Sequence, residues 1–320
     1  MKQTIAFINY ISRSGSTLLC RLLDAYNEIS VGIEAGFPGF MTELVPEKYN
    51  PMTSKKQLDH YLDELYEDIR FKEWQVNRTS LIARLGKIGY PITFQDILLS
   101  CLQEYFGHHS GVVWVHKAGY YVDLLDEVRA SFPGSKNIYM VRDPRAIFLS
   151  QKNATCLYTG KSMGSSLCYF IYQYKKRMRI VMNNSKSKDL LVIKYEELVQ
   201  EDNYVEKNVL PFLGIPDAIS GEDNYANKIP ENQKFLHTNV SAQPNKKSIA
   251  KWKNGLQNHE VVFIQNKLKN EMKFHGYDLG EKKKKIPWRE RFFYLQKEVE
   301  YMVFFARIYF RKIKLFFKVS

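Results

Sequence analysis

The segment TIAFINYISRSGSTLLCRLLD, residues Thr4–Asp24, changes character twice within twenty-one positions. Thr4–Ile11 is mostly apolar, with Ile5, Phe7, Ile8, Tyr10 and Ile11, the pattern of a strand buried on both faces. Ser12-Arg13-Ser14-Gly15-Ser16-Thr17 then gathers small hydroxylated residues around one glycine and one arginine. Leu18, Leu19, Leu22 and Leu23 follow at helical spacing, so the loop runs straight into a helix N-terminus. The N–H groups and positive dipole end there suit a phosphate. The loop is not Walker A: GxxxxGK[ST] is absent, and the cation precedes the glycine. An ordinary strand–turn–helix with a surface arginine fits this stretch alone as well.

Working outward, Glu28–Gly32 reads as a second short strand leading to Glu34 in the loop GIEAGFPGF. Ser54–Trp74, Thr79–Gly86 and Thr93–Phe106 carry apolar residues at three- and four-residue spacing. They read as a helical insertion over residues 52–110, beside the active site. Gly111–Val115 is a buried strand ending in His116-Lys117, and groups at strand C-termini are site candidates in open α/β sheets. Tyr121–Phe132 reads as helix and Asn137–Val141 as strand. That strand enters Arg142-Asp143-Pro144-Arg145, with Asp143 as N-cap and Pro144 at the first helical position. Arg142 can meet a phosphate bidentately, and Ser150, two turns into the helix, adds a hydroxyl. Ser166–Met182 is a further helix, Leu190–Tyr195 a strand, Asp217–Lys234 irregular and Gln257–Gly276 a helix stopped by glycine. Strands alternating with helices over the first two hundred residues argue for a parallel sheet in one domain.

Composition narrows the partners. The 320-residue chain is 45% hydrophobic, enough for a sizeable core, and carries a formal net charge of +13, which points to an anionic partner. Glu281–Ser320 holds twelve Lys/Arg against four Glu, so +8 of the total sits in the tail. Four scattered cysteines, Cys20, Cys101, Cys156 and Cys168, include no CxxC pair and suggest neither metal nor disulfide framework. The N-terminus lacks a signal-peptide pattern, so a chain beginning near Met1 and staying in the cytoplasm is expected.

Three features together resemble the sulfotransferases that use 3′-phosphoadenosine 5′-phosphosulfate (PAPS), closest to the bacterial branch related to tyrosylprotein sulfotransferases. They are SRSGSTLL at Ser12–Leu19, YMVRDPRAIFLS at Tyr139–Ser150, and HTNVSAQPNKKSIAKWKNGL at His237–Leu256. The resemblance covers most of residues 4–280. It implies an α/β fold with a P-loop NTPase-like central parallel sheet flanked by helices, in a domain of residues 1–280. It also implies PAPS as donor, with no metal. Arg13 falls on the catalytic basic residue, and Ser14, Gly15, Ser16 and Thr17 on the 5′-phosphosulfate cradle. Arg142 and Ser150 fall on the 3′-phosphate ligands, Lys251 on a basic residue of the late loop. Glu34, 21 positions beyond Arg13, matches the general-base glutamate. Lys117 falls on the family's KTP-like lysine, although HKAGYY replaces the usual acid-Lys-Thr-Pro.

The acceptor is expected to be a hydroxyl, with glycan or glycolipid favoured over tyrosyl peptide or small alcohol. A P-loop-type kinase is the competing enzyme class, but no Walker lysine and Mg²⁺ carboxylate pair is evident. A non-catalytic nucleic-acid binder would leave the Arg13 and Arg142 turns unexplained, so no nucleic acid is expected. The tail from residue 286 onward is aromatic and basic and reads as one helix from Arg289. Its longest uncharged run, Tyr301–Ala306, is far short of the ~20 residues a bilayer span needs. A membrane-surface helix at the inner face of the membrane and a helix packed on the domain or on a second subunit, as in a homodimer, are its two main readings.

Overall fold

Thr4–Tyr10 forms the central strand β1, and its last five residues are buried, as its nearly continuous apolar run requires of a strand covered on both faces. The computed structural model describes residues 3–35, 51–107, 111–222, 224–231, 246–280 and 288–319. Parts of the sequence readings lie outside the described residues: 36–40 of the glycine-rich loop, 108–110 of the insertion, 223 and 232–245 of the polar and late loops, and 281–287 and 320 of the tail. After β1 come α1 (Ser16–Asp24), β2 (Ile29–Val31), α2 (Lys55–Glu67), α3 (Arg78–Ile88), α4 (Phe94–Phe106) and β3 (Val113–Lys117). They are followed by α5 (Leu125–Ser131), β4 (Lys136–Val141), α6 (Pro144–Lys152), α7 (Leu167–Asn183), β5 (Leu190–Lys194) and α8 (Tyr195–Gln200). The described chain closes with α9 (Asn258–Lys267), α10 (Lys269–Phe274) and α11 (Trp288–Val319).

The five strands form one sheet in the order β2-β3-β1-β4-β5. β1 pairs in parallel with both β3 and β4, and β2 pairs in parallel with β3. Parallel neighbours require crossover connections, and helices supply them. This is the expected α/β, P-loop-like arrangement, with the glycine loop leaving the middle strand.

The chain divides into two compact units. The first comprises Met1–Tyr10, Gly15–Met140 and Ser185–Pro244 and holds the sheet. Its core joins Phe7 to Leu62, Leu81, Leu98, Tyr121 and Phe132, so the insertion helices share an apolar cluster with the central strand. The second comprises Ile11–Ser14, Val141–Asn184 and Asn245–Ser320. There Phe148 of α6 meets Phe170 of α7 at 5.4 Å, and Lys152 of α6 pairs with Glu260 of α9 at 2.8 Å.

Three boundaries differ from the sequence reading. The helix expected over Ser54–Trp74 ends at Glu67, because Asp68 takes an extended conformation and its Oδ1 accepts the N–H groups of Arg70 and Phe71, both at 2.9 Å. An aspartate that satisfies the following backbone this way competes with the helix. Lys72–Trp74 then forms a separate 3₁₀ turn. β3 spans Val113–Lys117 rather than Gly111–Val115, so His116 and Lys117 lie within the ladder, opposite Phe7 and Ile8. The helix expected over Gln257–Gly276 is interrupted at Leu268, while Gly276 ends it with φ 71°.

Candidate active site

In the first unit, the loop reaches α1 through Gly15, whose φ of 100° is left-handed and whose carbonyl accepts the Leu18 N–H at 3.0 Å. A Cβ there would lie 2.3 Å from Cδ2 of Tyr195. Glycine is thus demanded both by conformation and by space. Thr17, in the first turn of α1, accepts a hydrogen bond through Oγ1 from Nζ of Lys117 at 2.9 Å. Lys117 is 2% exposed, lies 3.6 Å from Oε2 of Glu34, and sits 5.4 Å from the ring centroid of Tyr10. Glu34, just past β2, is also paired with Arg70. The first unit therefore gathers Thr17, Lys117, Glu34 and Arg70 into one polar chain, and the carboxylate is compensated by two cations.

Arg70 was not singled out by the sequence. Its position depends on the Asp68 turn, and a helix continued through residue 70 would have aimed it elsewhere. Trp74, beyond the same turn, is buried and donates from Nε1 to the Ile33 carbonyl at 3.1 Å, next to Glu34. Its ring stacks on Tyr105 at 4.4 Å. Both rings line a cavity of about 430 Å³ together with Gln75, Asn77, Phe106 and Lys228.

His116 belongs to the aromatic core rather than to this polar chain. It is fully buried, its Nδ1 lies 2.8 Å from the Tyr121 hydroxyl, and its ring meets Trp74 edge-on at 5.2 Å. Burial pushes its pKa down to about 3 from the ordinary 6.5. Between those values the unfolded chain holds a proton that the folded chain does not. Stability is therefore intact above pH 6.5 and falls as pH drops toward 3, by about 1.4 kcal/mol per pH unit. Chemical denaturation across that window should show this slope in the natural chain and lose it in His116→Phe.

In the second unit, Arg13 has φ 78°, a left-handed backbone that residues other than glycine seldom adopt. Its Nε donates to Ser150 Oγ at 3.1 Å, and its carbonyl accepts Nη1 of Arg142, also at 3.1 Å. Nη2 of Arg142 donates to the Ser248 carbonyl at 3.2 Å, so one guanidinium ties the residue-13 loop to the late loop. Asp143 caps α6 by accepting the Arg145 N–H at 2.9 Å, with Pro144 in the first turn, as expected. Arg13, Arg142 and Ser150 are thus brought together, and burial followed by the Arg142 charge lowers the Arg13 pKa. Ser14 is fully buried and its Oγ has no hydrogen-bond partner among the described residues. Lys251 is exposed and takes no part in this network. Arg145, which the sequence reading used only as part of the turn, is buried against Asp143 at 2.7 Å, and its guanidinium carbon lies 3.8 Å from the Trp252 ring centroid. Among the described residues, no group of three or more His, Cys, Asp or Glu is arranged to hold a metal ion.

Residues 6–218 match the Sulfotransferase family. The chain is 22% identical over 267 residues to a protein-tyrosine sulfotransferase of Drosophila melanogaster; the alignment covers 78% of this chain and 46% of that protein, so the chain spans about half its length. Its fold is similar to that of the sulfotransferase domain from the Synechococcus PCC 7002 olefin synthase, with a TM-score of 0.57 at 18% identity over 87% of this chain and 97% of that one. The sulfotransferase domain from the curacin biosynthetic pathway gives a TM-score of 0.55 at 16% identity, over 87% and 99% of the two chains. At such identities the structural likeness speaks for the fold. The family match spans more than half of the residues and takes in both arginine turns, Glu34 and Lys117, and by that match the chain belongs to the sulfotransferase family.

Proposed function

We propose that this chain transfers the sulfuryl group of PAPS to a hydroxyl acceptor, with a glycan or glycolipid as the acceptor class, in the cytoplasm. The observation that carries the reading is the meeting of Arg13 and Arg142. Two mostly buried guanidinium groups beside one another concentrate positive charge, which suits a doubly charged phosphate. The buried Ser14 Oγ, which has no hydrogen-bond partner among the described residues, suits the same anion.

PAPS, when bound, supplies an activated sulfuryl group and phosphates at its 3′ and 5′ positions. Main-chain N–H groups of Gly15, Ser16 and Thr17, with the Ser14 hydroxyl and the dipole of α1, hold the 5′ end. Arg142 and Ser150 take the 3′-phosphate, and Lys251 adds positive charge from the late loop. Glu34 accepts the proton of the acceptor hydroxyl. Lys117, oriented by Thr17 Oγ1, and Arg13 stabilise the charge that grows on the departing oxygen. The cavity beside Trp74 is not lined by Glu34 or Lys117, but its aromatic and amide walls suit an outer part of a sugar acceptor.

The test is calorimetry with 3′-phosphoadenosine 5′-phosphate and with its analogue lacking the 3′-phosphate. Arg142→Ala should weaken the former by about 10- to 100-fold, the worth of a hydrogen bond to a charged group, and the latter much less. Equal losses would remove Arg142 from the 3′-phosphate. Tighter binding of ATP than of the bisphosphate would favour a phosphotransferase instead.

A further inference from the structure

The terminal helix α11 carries two apolar faces, and among the described residues one of them is covered. On the first, Phe263 packs on Tyr294 at 5.6 Å and on Tyr301 at 5.9 Å, while Tyr172 of α7 packs on Phe304 at 5.9 Å and on Phe305 at the same separation. The opposite face bears Trp288, Phe292, Leu295, Val299 and Met302, which are 75, 70, 62, 55 and 62% exposed. Their spacing alternates four and three, so they form one stripe along the helix. An exposed apolar stripe of this length marks a surface for an interaction.

Charge decides which partner fits. All three glutamates of α11 are engaged within the unit: Glu290 accepts the His259 N–H at 2.8 Å, Glu298 pairs with Lys267 at 2.6 Å, and Glu300 pairs with Lys297 at 2.7 Å. Arg291 and Arg307 are exposed, and neither makes an ion pair among the described residues. By helical period they border the stripe on its two sides. The helix as a whole holds eight Lys/Arg against those three Glu. A second copy docked on the stripe would bring the same cationic flanks together. An anionic surface with an apolar interior complements both the stripe and its borders.

We infer that α11 docks the protein on anionic lipid, its axis in the plane of the surface, with Trp288, Phe292, Leu295, Val299 and Met302 entering the acyl boundary and Arg291 and Arg307 at the headgroups. The full chain should float with vesicles of equimolar phosphatidylcholine and phosphatidylglycerol, and not with phosphatidylcholine alone. The double substitution Phe292→Glu/Leu295→Glu should reduce the vesicle-bound fraction by about tenfold or more, and Arg291→Glu/Arg307→Glu should weaken binding in a salt-dependent way. These side chains face outward, so the helical circular dichroism signal should be unchanged in each variant. Absence of flotation, or flotation indifferent to both double substitutions, overturns the inference. So does a concentration-dependent dimer in lipid-free solution that the Phe292→Glu/Leu295→Glu variant abolishes, which would assign the stripe to a second copy.

Discussion

Arg13→Gly should lower sulfuryl transfer by about 10³–10⁵-fold, the range seen when a transition-state arginine is removed in the related phosphoryl transfers. The same variant should be as stable as the natural chain, or more stable by about 0.5–1 kcal/mol. The backbone at residue 13 has φ 78°, which glycine adopts freely and other residues adopt at a cost. Loss of transfer without loss of stability separates chemistry from folding. The comparison variant is Arg13→Lys. An ammonium keeps the charge but cannot donate from an Nε position to Ser150 while presenting further donors in a fixed fork. It should recover only part of the rate. Single-turnover assays with labelled PAPS and thermal unfolding of the three chains make the measurement. Near-natural transfer by Arg13→Gly would remove Arg13 from the mechanism.

Glu34→Gln should lower kcat by about 10²–10⁴-fold, the usual contribution of a general base, with binding of 3′-phosphoadenosine 5′-phosphate retained. It should also destabilise the chain by about 1–3 kcal/mol, since the mostly buried Arg70 and Lys117 would lose the carboxylate they share. The double variant Glu34→Gln/Arg70→Gln removes one of those cations. It should regain part of the stability and none of the rate. A rate restored together with stability would mean that Glu34 holds the insertion in place and does not take the proton. Arg70→Gln alone should retain most of kcat, because Lys117 still faces the carboxylate at 3.6 Å.

Much of this arrangement is legible in local sequence because its causes are local. The apolar run of β1, the glycine before α1, and the Asp143-Pro144 start of α6 each act within a few residues of themselves. The order of strands and helices follows from alternating periodicities in the same way. The break at Asp68 was within reach: an aspartate at the end of an amphipathic run is a turn-former. It was outweighed by Ile69, which continued the apolar spacing but is 37% exposed in the fold.

Side-chain partners distant in the chain are another matter. Arg13 meets Ser150 across 137 positions and Lys117 meets Thr17 across 100, and no spacing rule ranks such pairs. The burial of His116 depends on β3 extending two residues past the apolar run, which ladder hydrogen bonds with β1 decide. α11 makes the same point on a larger scale. Its sequence announces an aromatic, basic helix. Only packing against α7 and α9 determines which stripe is covered and which is left for a partner. Sequence by itself thus determined the strand–loop–helix, the second arginine turn and the family, because each is written in contiguous residues. The tertiary structure alone decided that Arg70 joins Glu34, that Arg142 ties two loops, and which face of α11 stays open, because those outcomes depend on distant segments meeting.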